Sequence, residues 1–62
     1  MKELRQRVRL TQQNVADAVH VSRSTVAKWE SGERQPEIKL LVPLAHLYLV
    51  SLERLVEVIT GK

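Results

Sequence analysis

Residues 12–31 read QQNVADAVHVSRSTVAKWES. Val15, Ala16 and Val19 fall at i, i+1 and i+4, the spacing of one helix face. Val26 and Trp29 stand three apart on a second helix. Between them His20, Val21 and Ser22 are too few for a loop that wanders. Two short helices so joined, each apolar on one side, must pack against each other at a steep angle. The outer side of the second helix then carries Arg23, Ser24, Ala27 and Lys28, which are small, polar or basic. In this way a helix-turn-helix presents its second helix to the major groove of double-stranded DNA.

Working outward, Lys2 to Arg9 reads as a first helix with Leu4 and Val8 four apart. Thr11 is a good N-cap for a helix over Gln12–Val19, and Ser22 takes the same role for Arg23–Glu30. Gly32 can adopt the left-handed conformation that ends a helix, and Gly32 to Gln35 form a polar loop. Pro36 constrains entry to the next helix. Ile38 to Leu49 is apolar on nearly every side and has Pro43 inside it. A kink near Lys39–Val42 follows, or a helix whose regular part begins only there. Ser51 caps a fifth helix with Leu52, Leu55, Val56 and Ile59 as one stripe. Thr60-Gly61-Lys62 should fray. The valine-rich pieces keep helical spacing, so no strand is expected. The reading is all-α, five helices in one domain over 1–62.

Composition narrows the function. The 62 residues include no cysteine, which excludes disulfides and thiolate metal sites. His20 and His46 lie far apart, without a cluster of carboxylates, so no metal and no cofactor is expected. No apolar run approaches the ~20 residues that span a bilayer. Met1-Lys2-Glu3 lacks the apolar core of a signal peptide, giving a cytoplasmic expectation with no membrane partner. No nucleophile-base set or phosphate-cradling glycine loop is present, so neither an enzyme nor a small-molecule substrate is expected. The formal charge of +3 lies wholly in the first half. Through Arg34 seven basic residues oppose four acidic ones, whereas from Gln35 onward the charges cancel. A basic half beside a neutral one suits a phosphate-facing surface with a separate packing surface. A solvated basic face without a partner has the same composition.

The pattern resembles the helix-turn-helix of phage repressor and Cro-like proteins, the XRE family of regulators. Thr11-Gln12, Ala16, Val21-Ser22, Val26 and Glu30-Ser31-Gly32 carry the match, with Arg5, Pro36 and Ser51 in register. It covers roughly Leu4 to Leu55 and implies a five-helix lambda-repressor-like domain, with the helix-turn-helix at helices two and three. The resemblance also implies that Arg5 pairs with Glu30, tying the first helix to the third, and that Gln12 touches the DNA backbone and buttresses the recognition helix. Three residues depart from it. His20 and Arg9 stand where the family commonly has glycine, and Tyr48-Leu49 replace a leucine-glycine pair.

The residues expected to bind DNA are Gln12, Ser22, Arg23, Ser24, Ala27, Lys28 and Arg34. The Gln12 amide can donate to a phosphate oxygen at a helix start, where free backbone amides favour the same anion. An arginine pairs bidentately with guanine O6 and N7, worth roughly 1–3 kcal/mol of discrimination, and Arg23 sits at the end that enters the groove. Ser24 reads little alone. Ala27 allows close approach, with a thymine methyl as its contact, and Lys28 reaches a base edge or a phosphate. Exposed Arg and Lys are also the ordinary surface of a soluble helix; their place in the turn motif is what selects them. Ser22, by hydroxyl or amide, and Arg34 anchor the backbone. Arg7 and Arg9 either flank that backbone or are simply solvated. Trp29 is a core anchor, and with Tyr48 the one other aromatic, base stacking is not the mode.

One recognition helix reads too few base pairs for useful specificity, so a homodimer on a pseudo-palindromic operator is expected. Val42, Leu47, Leu49, Val58 and Ile59 exceed what a tiny core hides and are the candidate dimer surface, or else a deeper core. The competing reading is a protein-interaction module, such as an antitoxin or an assembly partner, on the same fold.

Overall fold

The computed structural model describes Met1–Gly61. Five helices follow one another: α1 (Lys2–Arg7), α2 (Gln12–Val19), α3 (Arg23–Ser31), α4 (Ile38–Tyr48) and α5 (Leu52–Thr60). No strand occurs among the described residues, and no helix is long and apolar enough to cross a membrane.

Each boundary has a local cause. Thr11 accepts from the Asn14 amide at 3.0 Å, while Asn14 Oδ1 accepts from the Thr11 amide at 2.9 Å. This reciprocal box satisfies two amides, and the asparagine half of it is an addition to the sequence reading. Ser22 and Ser51 cap α3 and α5 by accepting from Thr25 N and Arg54 N. Helix α1 stops at Arg7 rather than Arg9, and α3 runs one residue further than expected, to Ser31. Helix α5 holds through Thr60, whose hydroxyl donates to the Val56 carbonyl at 2.9 Å, and Gly61 closes it in the left-handed region. Lys62, the last of the three residues expected to fray, lies outside the described residues.

Left-handed residues that are not glycine cap α2 and α4 at His20 and Leu49, with φ of 60° and 58°, and a third, Arg9 at 59°, lies two residues beyond α1. These are the three places where the sequence departs from the pattern it resembles. The turn geometry survives each departure. In each, the next residue donates back five positions: Leu10 to Arg5 O, Val21 to Ala16 O and Val50 to Ala45 O. Leu10, Val21 and Val50 also pack against the core. A 6→1 hydrogen bond and an apolar anchor thus hold a backbone conformation that costs a side-chain-bearing residue roughly 1–2 kcal/mol.

Helix α4 is regular from Ile38, ahead of the Lys39–Val42 stretch, and continues through Pro43. Lys39 and Pro43 are both exposed, so the carbonyl that Pro43 leaves unpaired can be hydrated and the helix persists. The core joins Leu4, Val15, Ala16, Val19, Val26, Trp29, Leu44, Ala45, Tyr48 and Leu55. On α5 the expected stripe is corrected. Leu55 alone is fully buried, Ile59 is half-buried beside Val58, and Leu52 and Val56 face solvent. Apolar residues at 52, 55, 56, 58 and 59 make a band wider than the face that packs.

Candidate nucleic-acid interface

The α2–α3 pair is fixed from beneath by the core and from its side by a chain of polar contacts. Val15, Ala16 and Val19 of α2 and Val26 and Trp29 of α3 are buried together. That leaves Arg23, Ser24 and Lys28 exposed and Ala27 half-buried on the outer side of α3.

The polar chain begins at the α1–α2 turn. Arg5 Nη1 donates to the Leu10 carbonyl at 2.8 Å. Its Nε donates to Glu30 Oε2 at 2.7 Å and its Nη2 to Glu30 Oε1 at 3.3 Å. Gln12 Nε2 then donates to Glu30 Oε1 at 2.9 Å, and Gln12 Oε1 accepts from Arg23 Nη1 at 3.4 Å. The side chains of Arg5 and Glu30 are only 11% and 5% exposed. Burial works against the Glu30 charge, but the hydrogen bonds from Arg5 and Gln12 outweigh it and hold the carboxyl below its usual range. The hydrogen bond to Glu30 raises the Arg5 guanidinium further above its ordinary value, against the opposing effect of burial. Truncating one member of such a partly buried pair leaves an unmatched charge, at a cost of up to about 3–5 kcal/mol.

The expected Arg5–Glu30 tie is therefore present. Beyond it, the structure brings Gln12 and Arg23 into the same network. Gln12 is half-buried and spans between carboxylate and guanidinium. Nothing in the spacing announces this, since 18 residues separate Gln12 from Glu30. The Ser22 hydroxyl is committed to capping: it accepts from Thr25 N at 3.2 Å and lies 3.0 Å from Ser24 Oγ. Arg34 follows the left-handed Gly32, and its amide donates to the Lys28 carbonyl at 3.3 Å. Its side chain borders a shallow groove with Ser22, Thr25 and Trp29. Arg34 thus stands beside the start of α3, on the same flank as Ser22. Arg7, Arg9, Arg23, Lys28 and Arg34 have no carboxylate within ion-pair distance among the described residues.

A helix-turn-helix whose outer helix is basic and is tied to α1 by the Arg5–Glu30 ion pair is the geometry on which the family comparison bears. The family model described as "Helix-turn-helix" matches residues 1–55. The chain belongs to the XRE-type helix-turn-helix family. Members of this family are DNA-binding transcriptional regulators. The chain is 35% identical over 57 residues to the uncharacterized HTH-type transcriptional regulator YqaE of Bacillus subtilis (strain 168). It is 33% identical over 55 residues to the HTH-type transcriptional activator BcrR of Enterococcus faecalis. These alignments take in 92% and 89% of the chain, but only 49% and 27% of those relatives. No solved structure matches at comparable significance.

Proposed function

We propose that this helix-turn-helix chain, over 1–62, is a single DNA-binding domain that reads double-stranded DNA sequence-specifically. It acts as a homodimeric transcriptional regulator, most simply a repressor that occludes its operator, in the cytoplasm and without a cofactor. Helix α3 enters the major groove. Arg23, Ser24, Ala27 and Lys28 meet base edges, while Gln12, Ser22 and Arg34 meet the phosphate backbone. The observation that carries the reading is the chain Arg5–Glu30–Gln12–Arg23, which holds a base-reading side chain and a backbone-contacting one in a single network. Since the Ser22 hydroxyl caps α3, its backbone amide is the group assigned to phosphate.

A two-fold dimer places two α3 helices in successive major grooves, about 34 Å apart. Its surface is the apolar flank of α4 and α5. Ile38, Val42 and Leu49 share one side of α4 and its end, and they are 85%, 49% and 81% exposed. Leu52 and Val56 are exposed on α5. Of the five residues expected to form this surface, Leu47, Val58 and Ile59 are half-buried against the core. Ile38, Leu52 and Val56 take their place.

Selection from a random duplex pool tests the reading. A pseudo-palindrome should enrich, with affinity that falls steeply as salt rises. Enrichment of no sequence, with weak and shallow salt dependence, would instead support the protein-interaction module.

A further inference from the structure

Arg9 ends the α1 turn in the left-handed region at a φ of 59°. It is exposed, and no carboxylate lies within ion-pair distance of it among the described residues. Its backbone is fixed from several directions. The Arg9 amide donates to Gln6 O at 3.0 Å, and the Leu10 amide donates to Arg5 O at 3.2 Å. Arg5 Nη1 in turn holds the Leu10 carbonyl at 2.8 Å. The same guanidinium grips Glu30, so the position of Arg9 is tied to that of the recognition helix.

Glycine would meet this backbone conformation without strain. A long cation kept there against that strain, facing solvent and paired to nothing, has a use for its side chain. Arg9 precedes the N-cap Thr11 by two residues, so their Cα atoms are at most about 7.6 Å apart. Its backbone thus lies within a few residues of the start of α2, where Gln12 stands.

We propose that Arg9 is a further DNA-binding residue, whose guanidinium pairs with a backbone phosphate beside the one met by Gln12. This rests on the DNA-reading function proposed above. The contact adds affinity and fixes register, and it carries no sequence information. It converts a strained turn into part of the binding edge.

Arg9→Gly tests this directly, because the substitution removes the charge while suiting the backbone. Binding should be measured against salt for wild type, Arg9→Gly, Arg9→Lys and Arg54→Gln. The probes are the duplex enriched by selection and a mixed-sequence duplex. Arg54 is the control, an exposed α5 cation 4.0 Å from Glu57. Arg9→Gly should melt higher than wild type yet bind both duplexes more weakly. Its plot of log affinity against log salt should be shallower by about one phosphate, so that the wild-type advantage shrinks about 3.5-fold from about 50 to about 200 mM salt. Arg9→Lys and Arg54→Gln should keep the wild-type slope. An Arg9→Gly slope equal to wild type on both duplexes overturns the proposal. If nothing enriches, sequence reading fails while the mixed duplex still tests Arg9.

Discussion

Gln12 Nε2 donates to Glu30 Oε1 at 2.9 Å, which fixes which end of the amide meets the carboxylate and leaves Oε1 for Arg23. A carboxylate accepts only, so the amide nitrogen must face Glu30 and the amide oxygen is left to receive the guanidinium. The orientation of Arg23 therefore depends on Glu30 through Gln12. Gln12→Ala should weaken binding to all duplexes, because a backbone contact is lost. It should also broaden the preferred sequence, because Arg23 loses its support. Competition between the selected duplex and single-base variants measures both effects. Loss of affinity with unchanged preference would separate Gln12 from Arg23.

Arg23→Ala should change which base is preferred at one position of each half-site, costing about 1–3 kcal/mol against the cognate base. Lys28→Ala and Arg34→Ala should differ in kind. Arg34→Ala should lower affinity evenly across sequences and flatten the salt dependence by about one charge. Repeating the selection with each variant gives the comparison.

Glu30 also sets an acid limit on stability. Its folded carboxyl is held below the ordinary value of 4.5, so its contribution is present above that pH and lost as pH falls through the lower folded value. Urea melts across the acid range should show stability dropping below about pH 4.5. Glu30→Gln should destabilise at neutral pH by several kcal/mol, about 3–5 for a buried pair broken on one side, and should flatten the acid limb. A variant that keeps the wild-type acid limb would place the titrating group elsewhere.

Tyr48 offers the opposite sign. Its hydroxyl is buried with no hydrogen-bond partner among the described residues, and burial pushes it up from 10.0 to about 12. A raised folded value means the contribution is present below 10 and is lost as pH rises towards about 12. Tyr48→Phe removes a buried polar atom and should stabilise by about 1 kcal/mol at neutral pH. It should also remove that alkaline loss. Destabilisation in urea melts would show that the hydroxyl has found a partner.

Leu49 combines left-handed backbone with an apolar side chain that is 81% exposed. Leu49→Gly should relieve roughly 1–2 kcal/mol of backbone strain in the monomer and remove exposed apolar surface. If the α4–α5 flank is the dimer surface, the same change should raise the dimer dissociation constant. Sedimentation at several concentrations, beside thermal melts, separates the two effects. A variant that dimerises as well as wild type would move the interface away from Leu49.

The helix-turn-helix was legible because Val15, Ala16, Val19, Val26 and Trp29 record their burial in their spacing, and because Thr11 and Ser22 mark helix starts. Helix α5 was less so. Leu52 and Val58 flank Leu55 with equal claims to the core, and only the packing of α4 on α5 chooses between them. The Gln12 bridge was legible only through the resemblance, which implied that Gln12 buttresses the recognition helix; it joins side chains from separate helices, and no periodicity encodes a contact across 18 residues. The start of α4 at Ile38 was not legible from Pro43, because whether a helix runs on past a proline depends on how the freed carbonyl is hydrated in the assembled bundle.

The three left-handed residues Arg9, His20 and Leu49 lie at or just beyond helix ends, outside the α3 positions proposed to read bases. Each is a place where glycine would recover stability without altering those positions. The domain thereby carries latent tolerance. Under the proposed reading, substitutions at Arg23, Ser24, Ala27 or Lys28 that redirect sequence preference but weaken the fold are compensated by glycine at His20, which lies outside the proposed dimer flank. Strain removed from a turn offsets what a change on the outer face of α3 costs the fold.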